Sequence, residues 1–207
     1  MPWWVARLPP ACLTTARSQQ RKSNDGHQRI SRPGHRANRG TGRAFARALI
    51  EHGAAKVYAG VRDPAATPDR NVTPLRLDVT RPDEIAEATA VARDVTIVIN
   101  NAGIGSTGTG LLNGTFDAAR QAMEVNHFGT WAVSRAFAPI LARNGGDALV
   151  NTLSLASWVG QPSFPGYAAA KAAQWSQTDA LRQDLREQGT LLTAPLPGRG
   201  GVSLLRG

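Results

Sequence analysis

The stretch Tyr-Ala-Ala-Ala-Lys at residues 167–171 contains the strongest chemical pair in the sequence. Tyr167 and Lys171 are four residues apart, so a helix would place both side chains on one face. A Lys ammonium beside a phenol stabilises the phenolate, and a Tyr in that setting acts as a general acid or base near neutral pH. Most such pairs are ordinary surface pairs, so this one carries weight only in the company of other polar residues.

Other polar residues lie at the ends of predicted strands and in one predicted helix. Ser154 ends the strand predicted in "DALVNTLS", "NNAG" (100–103) ends the strand predicted in "VTIVIN", and Asn126 lies in a long predicted helix. Ligands of open α/β sheets bind at the carboxyl ends of the strands, so we expect these residues at one edge. Alternative interpretations are that Ser154 caps a strand end, that Ser157 replaces it, or that Asn126 faces solvent.

The elements that must position these residues alternate from Ala37 onward. Short β-branched runs alternate with Ala-rich helical stretches, which is typical of a parallel sheet covered by helices. The predicted strands are "KVYAGV", "PLRLD", "VTIVIN", "DALVNTLS" and "TLLTAPL". We therefore predict an α/β fold with a doubly wound, Rossmann-like parallel sheet.

The ordered set of motifs resembles the short-chain dehydrogenase/reductase family, in its simple one-domain form. The matching pieces are "ANRGTG", "LDVT", "NNAG", the Asn of "EVNHFG", the Ser of "NTLSLAS" and "YAAAK", over roughly residues 37–194. Each motif is weak alone, and the ordered set is specific. The resemblance implies hydride transfer between a nicotinamide cofactor and a carbonyl or alcohol substrate.

The resemblance also implies a role for each matching residue. Tyr167 would exchange a proton with the substrate oxygen, and Lys171 would tune Tyr167 and hold the nicotinamide ribose. Ser154 would orient the substrate carbonyl, and Asn126 would position a water behind Lys171. The implied cofactor-binding residues, besides Tyr167 and Lys171, are Arg39, Gly40, Gly42, Arg62, Asp78, Val79, Asn101, Ala102 and Gly103.

The choice of cofactor is argued from charge after the second strand. An acid there selects NAD, whereas an Arg accommodates the 2′-phosphate of NADP. Val61 stands where the acid is expected, Arg62 follows it, and Arg39 adds a second positive charge. The sequence favours NADP(H). The alternative, NAD(H), requires Asp63 to act as the ribose acid.

The substrate is constrained only weakly. Trp158 and Phe164 lie between Ser154 and Tyr167 and would either line an apolar pocket or pack internally. The scattered His residues predict no metal site. We expect a small-molecule substrate, no nucleic acid and no membrane partner. Homo-oligomers are typical of the family and are doubtful for this chain.

Residues 1–36 form the first of three predicted regions and break the family pattern. The segment is basic and is expected to be disordered or translated in a wrong frame. Its "RISRPGHR" stands where a buried first strand is expected, and Arg36 replaces the turn glycine. A reading frame shifted by one base permits Ala-Leu-Val-Thr-Gly directly before Ala37.

The other two regions are the catalytic domain, 37–196, and a truncated tail, 197–207. The family's last strand and substrate-covering segment are expected to be missing. One alternative is therefore an inactive, truncated or frame-shifted derivative of the family. A lesser one is a basic-tailed nucleic-acid binder, because most of the net charge of +9 lies in the first 36 residues. The single Cys12 predicts no internal disulfide, and a cytoplasmic location is expected.

Overall fold

The computed structural model describes residues 3–8, 37–66, 71–105, 110–198 and 201–204, of which 37–40, 66, 197–198 and 201–204 are described by their backbone alone. Its core is a six-stranded sheet in the order β3-β2-β1-β4-β5-β6. The strands are β1 Trp3–Arg7, β2 Lys56–Val61, β3 Thr73–Arg76, β4 Ile97–Asn100, β5 Ala148–Asn151 and β6 Leu191–Thr193. The α/β, Rossmann-like fold predicted from the sequence is confirmed.

Helices cover both faces of this sheet. They are α1 Ala37–Glu51, α2 Pro82–Val91, α3 Gly110–Asn113, α4 Phe116–Met123, α5 Gly129–Arg143 and α6 Pro165–Glu187. A π-helical segment, Glu124–Phe128, joins α4 to α5, and short 3₁₀ turns span Pro64–Ala66 and Leu155–Ser157. Val98 and Phe137 belong to the core cluster on one face, whereas Ile99 and Leu49 belong to the cluster on the other. None of the described helices combines the length and the apolarity that a membrane span requires.

Strand β1 corrects two expectations about the N-terminus. Trp3–Arg7 form a strand of the sheet rather than a disordered segment, and this strand, β1, fills the central position between β2 and β4. It is antiparallel to both neighbours, with Val5 opposite Tyr58 and opposite Val98, so the sheet is not purely parallel. The segment "RISRPGHR", which was expected to be the degenerate first strand, lies outside the described residues.

The residues of β1 suit a strand that is buried on both faces. Trp3 and Val5 contribute to one core cluster, and Trp4 and Ala6 contribute to the other, as a period of two requires. Trp3 lies against Gly60, where an added Cβ would stand 2.7 Å from its ring, and its ring centroid is 4.8 Å from that of Phe137. A continuous apolar run of this kind is typical of a central strand.

The other strand pairs are parallel, namely β2 with β3, β4 with β5, and β5 with β6. Asn100 and Asn151 are partners at the last paired positions of β4 and β5. The loops that follow these two strands therefore leave the sheet at a common edge, which we call the carboxyl edge. These loops contain "NNAG" and Ser154.

The start of the described catalytic region differs from expectation, whereas its far end has no described strand beyond β6 in the sheet. Helix α1 begins at Ala37, so "ANRGTG" is helical rather than a loop. Ala37 and the residues after it are compatible with a helix, and Arg36 supplies no flexible glycine that would favour a turn. Beyond β6, strands Pro195–Gly198 (β7) and Gly201–Leu204 (β8) form a separate hairpin, and no described strand pairs with the outer side of β6.

Candidate active site

Lys171 lies at the centre of the candidate site and is almost completely buried, at 4% exposure. Its Nζ donates to the carbonyl oxygen of Thr152 at 2.8 Å, in the segment that follows β5. A second hydrogen bond, of 2.7 Å, goes to Oε1 of Gln174. Burial lowers the pKa of the Lys171 amine to about 7. The group therefore titrates in the range in which enzymes exchange protons.

A chain of side chains continues from Lys171 to Asn126. Gln174 Nε2 donates to the Thr130 hydroxyl at 3.1 Å, and that hydroxyl donates to the backbone carbonyl oxygen of Asn126 at 2.9 Å. Gln174, Thr130 and Asn126 are all buried. The sequence analysis missed Gln174 and Thr130. The available signal was a polar residue three positions after Lys171, on the same face of α6.

Asn126 is fully buried within the π-helical segment, so it does not face solvent. Its Oδ1 accepts from the Ile104 amide at 3.1 Å, and its Nδ2 donates to the Ile104 carbonyl at 2.9 Å. These bonds hold the loop after "NNAG" against the helix. Single-turn π segments inside α-helices occur frequently at functional sites, and this one aims Asn126 at that loop.

The sequence left open whether Ser154 caps a local structure or acts in the site, and whether Ser157 acts in its place. Ser154 is half-buried and caps the 3₁₀ turn, because its Oγ accepts from the Ala156 amide at 3.2 Å. Ser157 is 4% exposed, and its Oγ accepts from the Ser154 amide at 3.3 Å. Ser154 does cap a local structure, as the alternative held. It is nevertheless the more accessible of the two hydroxyls.

Tyr167 lies in the first turn of α6 and is half-buried. Lys171 Nζ stands 5.9 Å from the centroid of its ring. Helix α6 therefore brings the phenol and the buried amine together, as the four-residue spacing predicted. The segment that holds Ser154 packs against the same helix.

Residues predicted to meet the adenosine half of a cofactor lie around one cavity of about 320 Å³ at the carboxyl edge. Those that line it are Arg62, Asp78, Val79, Ala102 and Gly103, together with Asp63. Asn101 does not line this cavity and is 4% exposed. A Cβ on Gly103 would stand 2.8 Å from Asn126 Oδ1, so the backbone there approaches its neighbours as only glycine permits.

The charges at this cavity favour an ionised Asp78. Partial burial raises the pKa of its carboxyl, but the hydrogen bonds from Thr80 and the charges of Arg62 and Arg81 outweigh burial and lower it. Thr80 donates through its amide at 3.0 Å and through its hydroxyl at 2.7 Å. Asp63 Oδ1 accepts from the Ala65 amide at 3.1 Å and so supports the neighbouring 3₁₀ turn.

The glycine-rich segment occupies the N-terminal part of α1. Arg39 and Gly40 are helical in backbone, and Gly42 is buried in the second turn. Helix N-termini bind phosphate through unpaired amides and the helix dipole. The described part of this segment is therefore helical, where the sequence predicted a phosphate-binding loop.

An apolar cavity of about 780 Å³ flanks the N-terminal half of α6. Trp158 lines it together with Leu111, Leu112 and Pro165, whereas Phe164, Ser154 and Tyr167 do not. Trp158 also makes an edge-to-face contact with Trp175 at 5.8 Å. Of the two weakly predicted pocket residues, Trp158 therefore lines a cavity and Phe164 does not.

Comparison with known proteins gives a consistent result. The short chain dehydrogenase model matches residues 36–200. A 1-deoxy-11-beta-hydroxypentalenate dehydrogenase from Streptomyces exfoliatus is 34% identical over 66% of this chain and 52% of its own length. A 3alpha-hydroxysteroid dehydrogenase from Mediterraneibacter gnavus is 31% identical over 77% of this chain and 69% of its own. The chain thus spans about half the length of the first of these relatives.

Among solved structures, a short chain dehydrogenase from Burkholderia cenocepacia in complex with NADP is 40% identical. It superposes with a TM-score of 0.73 over 78% of this chain and 69% of that one. The family model covers well over half of the sequence, and the fold and the order of motifs agree with it. The chain belongs to the short-chain dehydrogenase family.

Proposed function

We propose that the chain is an NADP(H)-dependent oxidoreductase that interconverts a carbonyl compound and the corresponding alcohol. The observation that carries the proposal is the buried amine of Lys171 beside the Tyr167 ring, at the edge where the nucleotide cavity opens. A lysine amine that titrates near neutrality next to a phenol is a known means of proton exchange.

The described residues fit a nicotinamide dinucleotide. The cavity beside Arg62 and Asp78 would take the adenosine half, Gly103 leaves room for close approach, and the N-terminus of α1 would bind the pyrophosphate. When bound, the nicotinamide would supply or accept the hydride.

In our proposal the chain's own residues handle the proton and the substrate oxygen. The Tyr167 hydroxyl donates its proton to the carbonyl oxygen during reduction and takes one back during oxidation. Ser154 donates a hydrogen bond to the same oxygen and orients it. An ammonium has three hydrogens and Lys171 commits two to Thr152 and Gln174, so the third serves a cofactor hydroxyl.

Arg62 supports NADP(H) over NAD(H). Its charge acts on Asp78, so it is close enough to the cavity to pair with a 2′-phosphate. Asp63, the alternative ribose acid, already accepts a hydrogen bond from the Ala65 amide. The NADP in the Burkholderia cenocepacia structure supports the same choice.

The apolar cavity beside Trp158 supports an apolar substrate. Leu111, Leu112 and Val159 line this cavity, and their apolar side chains are exposed. Two relatives, a hydroxysteroid dehydrogenase and a hydroxypentalenate dehydrogenase, are named for substrates of this kind and support the same choice. We propose a small-molecule substrate with an alicyclic or otherwise apolar body, and a cytoplasmic setting.

A paired serine experiment tests the function. We expect the chain to oxidise NADPH in the presence of apolar ketones and Ser154→Ala to lower kcat/KM about 10²- to 10³-fold, as loss of an oxyanion donor does. Ser157→Ala is the comparison variant, because the Ser157 hydroxyl accepts from the Ser154 amide and lines the apolar cavity, whereas the proposal assigns the contact with the substrate oxygen to Ser154. It should cost less than about tenfold, since loss of the hydrogen bond to the Ser154 amide costs about 1 kcal/mol. Equal losses in both variants would show that the turn, not the Ser154 hydroxyl, supports turnover.

The cofactor assignment predicts a second paired result. Arg62→Ala should weaken NADPH binding about tenfold or more, because a charge-assisted hydrogen bond to phosphate is lost, and should leave NADH binding nearly unchanged. Asp63→Asn should change neither. Fluorescence titration with both nucleotides measures the effect. A loss of NADH binding in Asp63→Asn would instead identify Asp63 as the ribose acid.

No turnover of any carbonyl compound by a folded chain would favour the alternative of an inactive derivative.

A further inference from the structure

A fully buried glutamine stands next to the buried ammonium of the candidate site. Gln174 has 0% exposure, and burying an amide without partners costs several kcal/mol. Both ends of this amide are paired, Oε1 with Lys171 at 2.7 Å and Nε2 with Thr130 at 3.1 Å. Its backbone carbonyl also accepts from the Thr178 hydroxyl at 2.7 Å. The amide is therefore held in one place from both sides.

The direction of each hydrogen bond is fixed by chemistry. Lys171 can only donate, so Gln174 must present its oxygen to it, and its nitrogen then faces Thr130. The single proton of the Thr130 hydroxyl is committed to the Asn126 carbonyl, so that oxygen is left to accept from Gln174. A flipped amide would place a donor against the ammonium. The network therefore supplies Lys171 with one oriented acceptor.

We propose that Gln174 is a positioning residue that holds the Lys171 ammonium in its charged form at the active site. The inference rests on the proposed function for its catalytic meaning, because Lys171 serves the proton exchange of Tyr167 only if the chain is an oxidoreductase. A hydrogen bond to a cation stabilises the charged form and opposes the effect of burial.

Few groups near Lys171 carry a charge, so a change in its pKa can be assigned to Gln174. Tyr167, on the same helix, is the titratable group whose ring faces Nζ, at 5.9 Å. The other described elements packed there contribute neutral groups, namely the Thr152 carbonyl, the Gly103 backbone and the Asn126 amide. Burial alone lowers the pKa of Lys171 to about 7, so the loss of an acceptor should lower it further.

The test is a direct titration of Lys171 by ¹³Cε NMR of lysine-labelled chain without cofactor. The lysines are Lys22, Lys56 and Lys171, and Lys171→Arg assigns the signal. Gln174→Met keeps the length of the side chain and removes the acceptor, so the midpoint should fall by roughly one pH unit. Gln174→Glu adds a negative partner, so the midpoint should rise by a similar amount. Gln177→Met, three residues further along α6, is the matched control and should shift nothing.

Opposite shifts in the two Gln174 variants support the proposal, and an unchanged midpoint or shifts in one direction overturn it. If Gln174→Met does not fold, Gln174→Glu decides alone, with a rise supporting and no rise refuting the proposal. The titration needs no turnover, so opposite shifts in a chain that reduces no carbonyl would reject the proposed function and keep this inference. In an active chain, the basic limb of the kcat/KM profile should move with the midpoint.

Discussion

Tyr167→Phe should abolish most carbonyl reduction, lowering kcat/KM by about 10²- to 10⁴-fold, the range that loss of a general acid produces. The substitution removes only the hydroxyl. The ring keeps its place beside Lys171, and the hydrogen bonds of Lys171 to Thr152 and Gln174 do not involve Tyr167. NADPH binding should therefore change little while turnover is lost. Initial rates and nucleotide titrations on the same preparation measure both quantities.

Tyr58→Phe is the matched control, since Tyr58 and Tyr167 are the two tyrosines of the chain. Tyr58 is buried in β2, and its hydroxyl donates to Asp94 Oδ1 at 3.0 Å. Neither residue lines the nucleotide cavity or the apolar cavity. Its loss should lower stability by about 1 kcal/mol and leave kcat/KM nearly unchanged. Turnover by Tyr167→Phe at the parent rate would contradict the assignment of Tyr167 as the proton donor.

Trp3→Ala should lower the free energy of unfolding by about 3–5 kcal/mol, the cost of truncating a buried Trp. Trp3 is 1% exposed, packs on Phe137 and covers Gly60. Its Nε1 also donates to Asn100 Oδ1 at 2.8 Å, so the variant leaves a buried acceptor without that donor. Asn100 ends β4 and is the first residue of "NNAG". Loss of its hydrogen bond to Trp3 should therefore also loosen the loop at the carboxyl edge. Urea unfolding followed by circular dichroism measures the change.

Trp131→Ala is the control for this experiment, because Trp131 is 48% exposed on α5. It should cost less than about 1 kcal/mol. Equal stabilities for Trp3→Ala and the parent chain would mean that β1 does not occupy the centre of the sheet.

The sequence predicted the parts of the site that depend on local spacing. Tyr167 and Lys171 share a face because a helix repeats every 3.6 residues. The residues that follow the strands lie at one edge because parallel strands share a direction, which is how Asp78 and Gly103 reach one cavity.

The parts that depend on distant contacts were not predicted. Strand β1 is a short apolar run within a basic segment, and its place is set by partners such as Asn100, which lies 97 residues away along the chain. Gln174 meets Thr130 across 44 residues, and no local pattern reveals that bond. The glycine-rich segment was predicted as a loop by its motif, but the structure has it as helix from Ala37.

The central claim is that this chain, with β1 in its observed place and α1 beginning at Ala37, forms a working NADP(H) site. A calorimetric titration of the purified chain with NADPH, and with NADH for comparison, tests it most directly. We predict one NADPH per chain, bound about tenfold or more tightly than NADH because of the 2′-phosphate contact with Arg62. Absence of binding by either nucleotide to the folded chain would contradict the claim and identify the chain as a disabled member of its family.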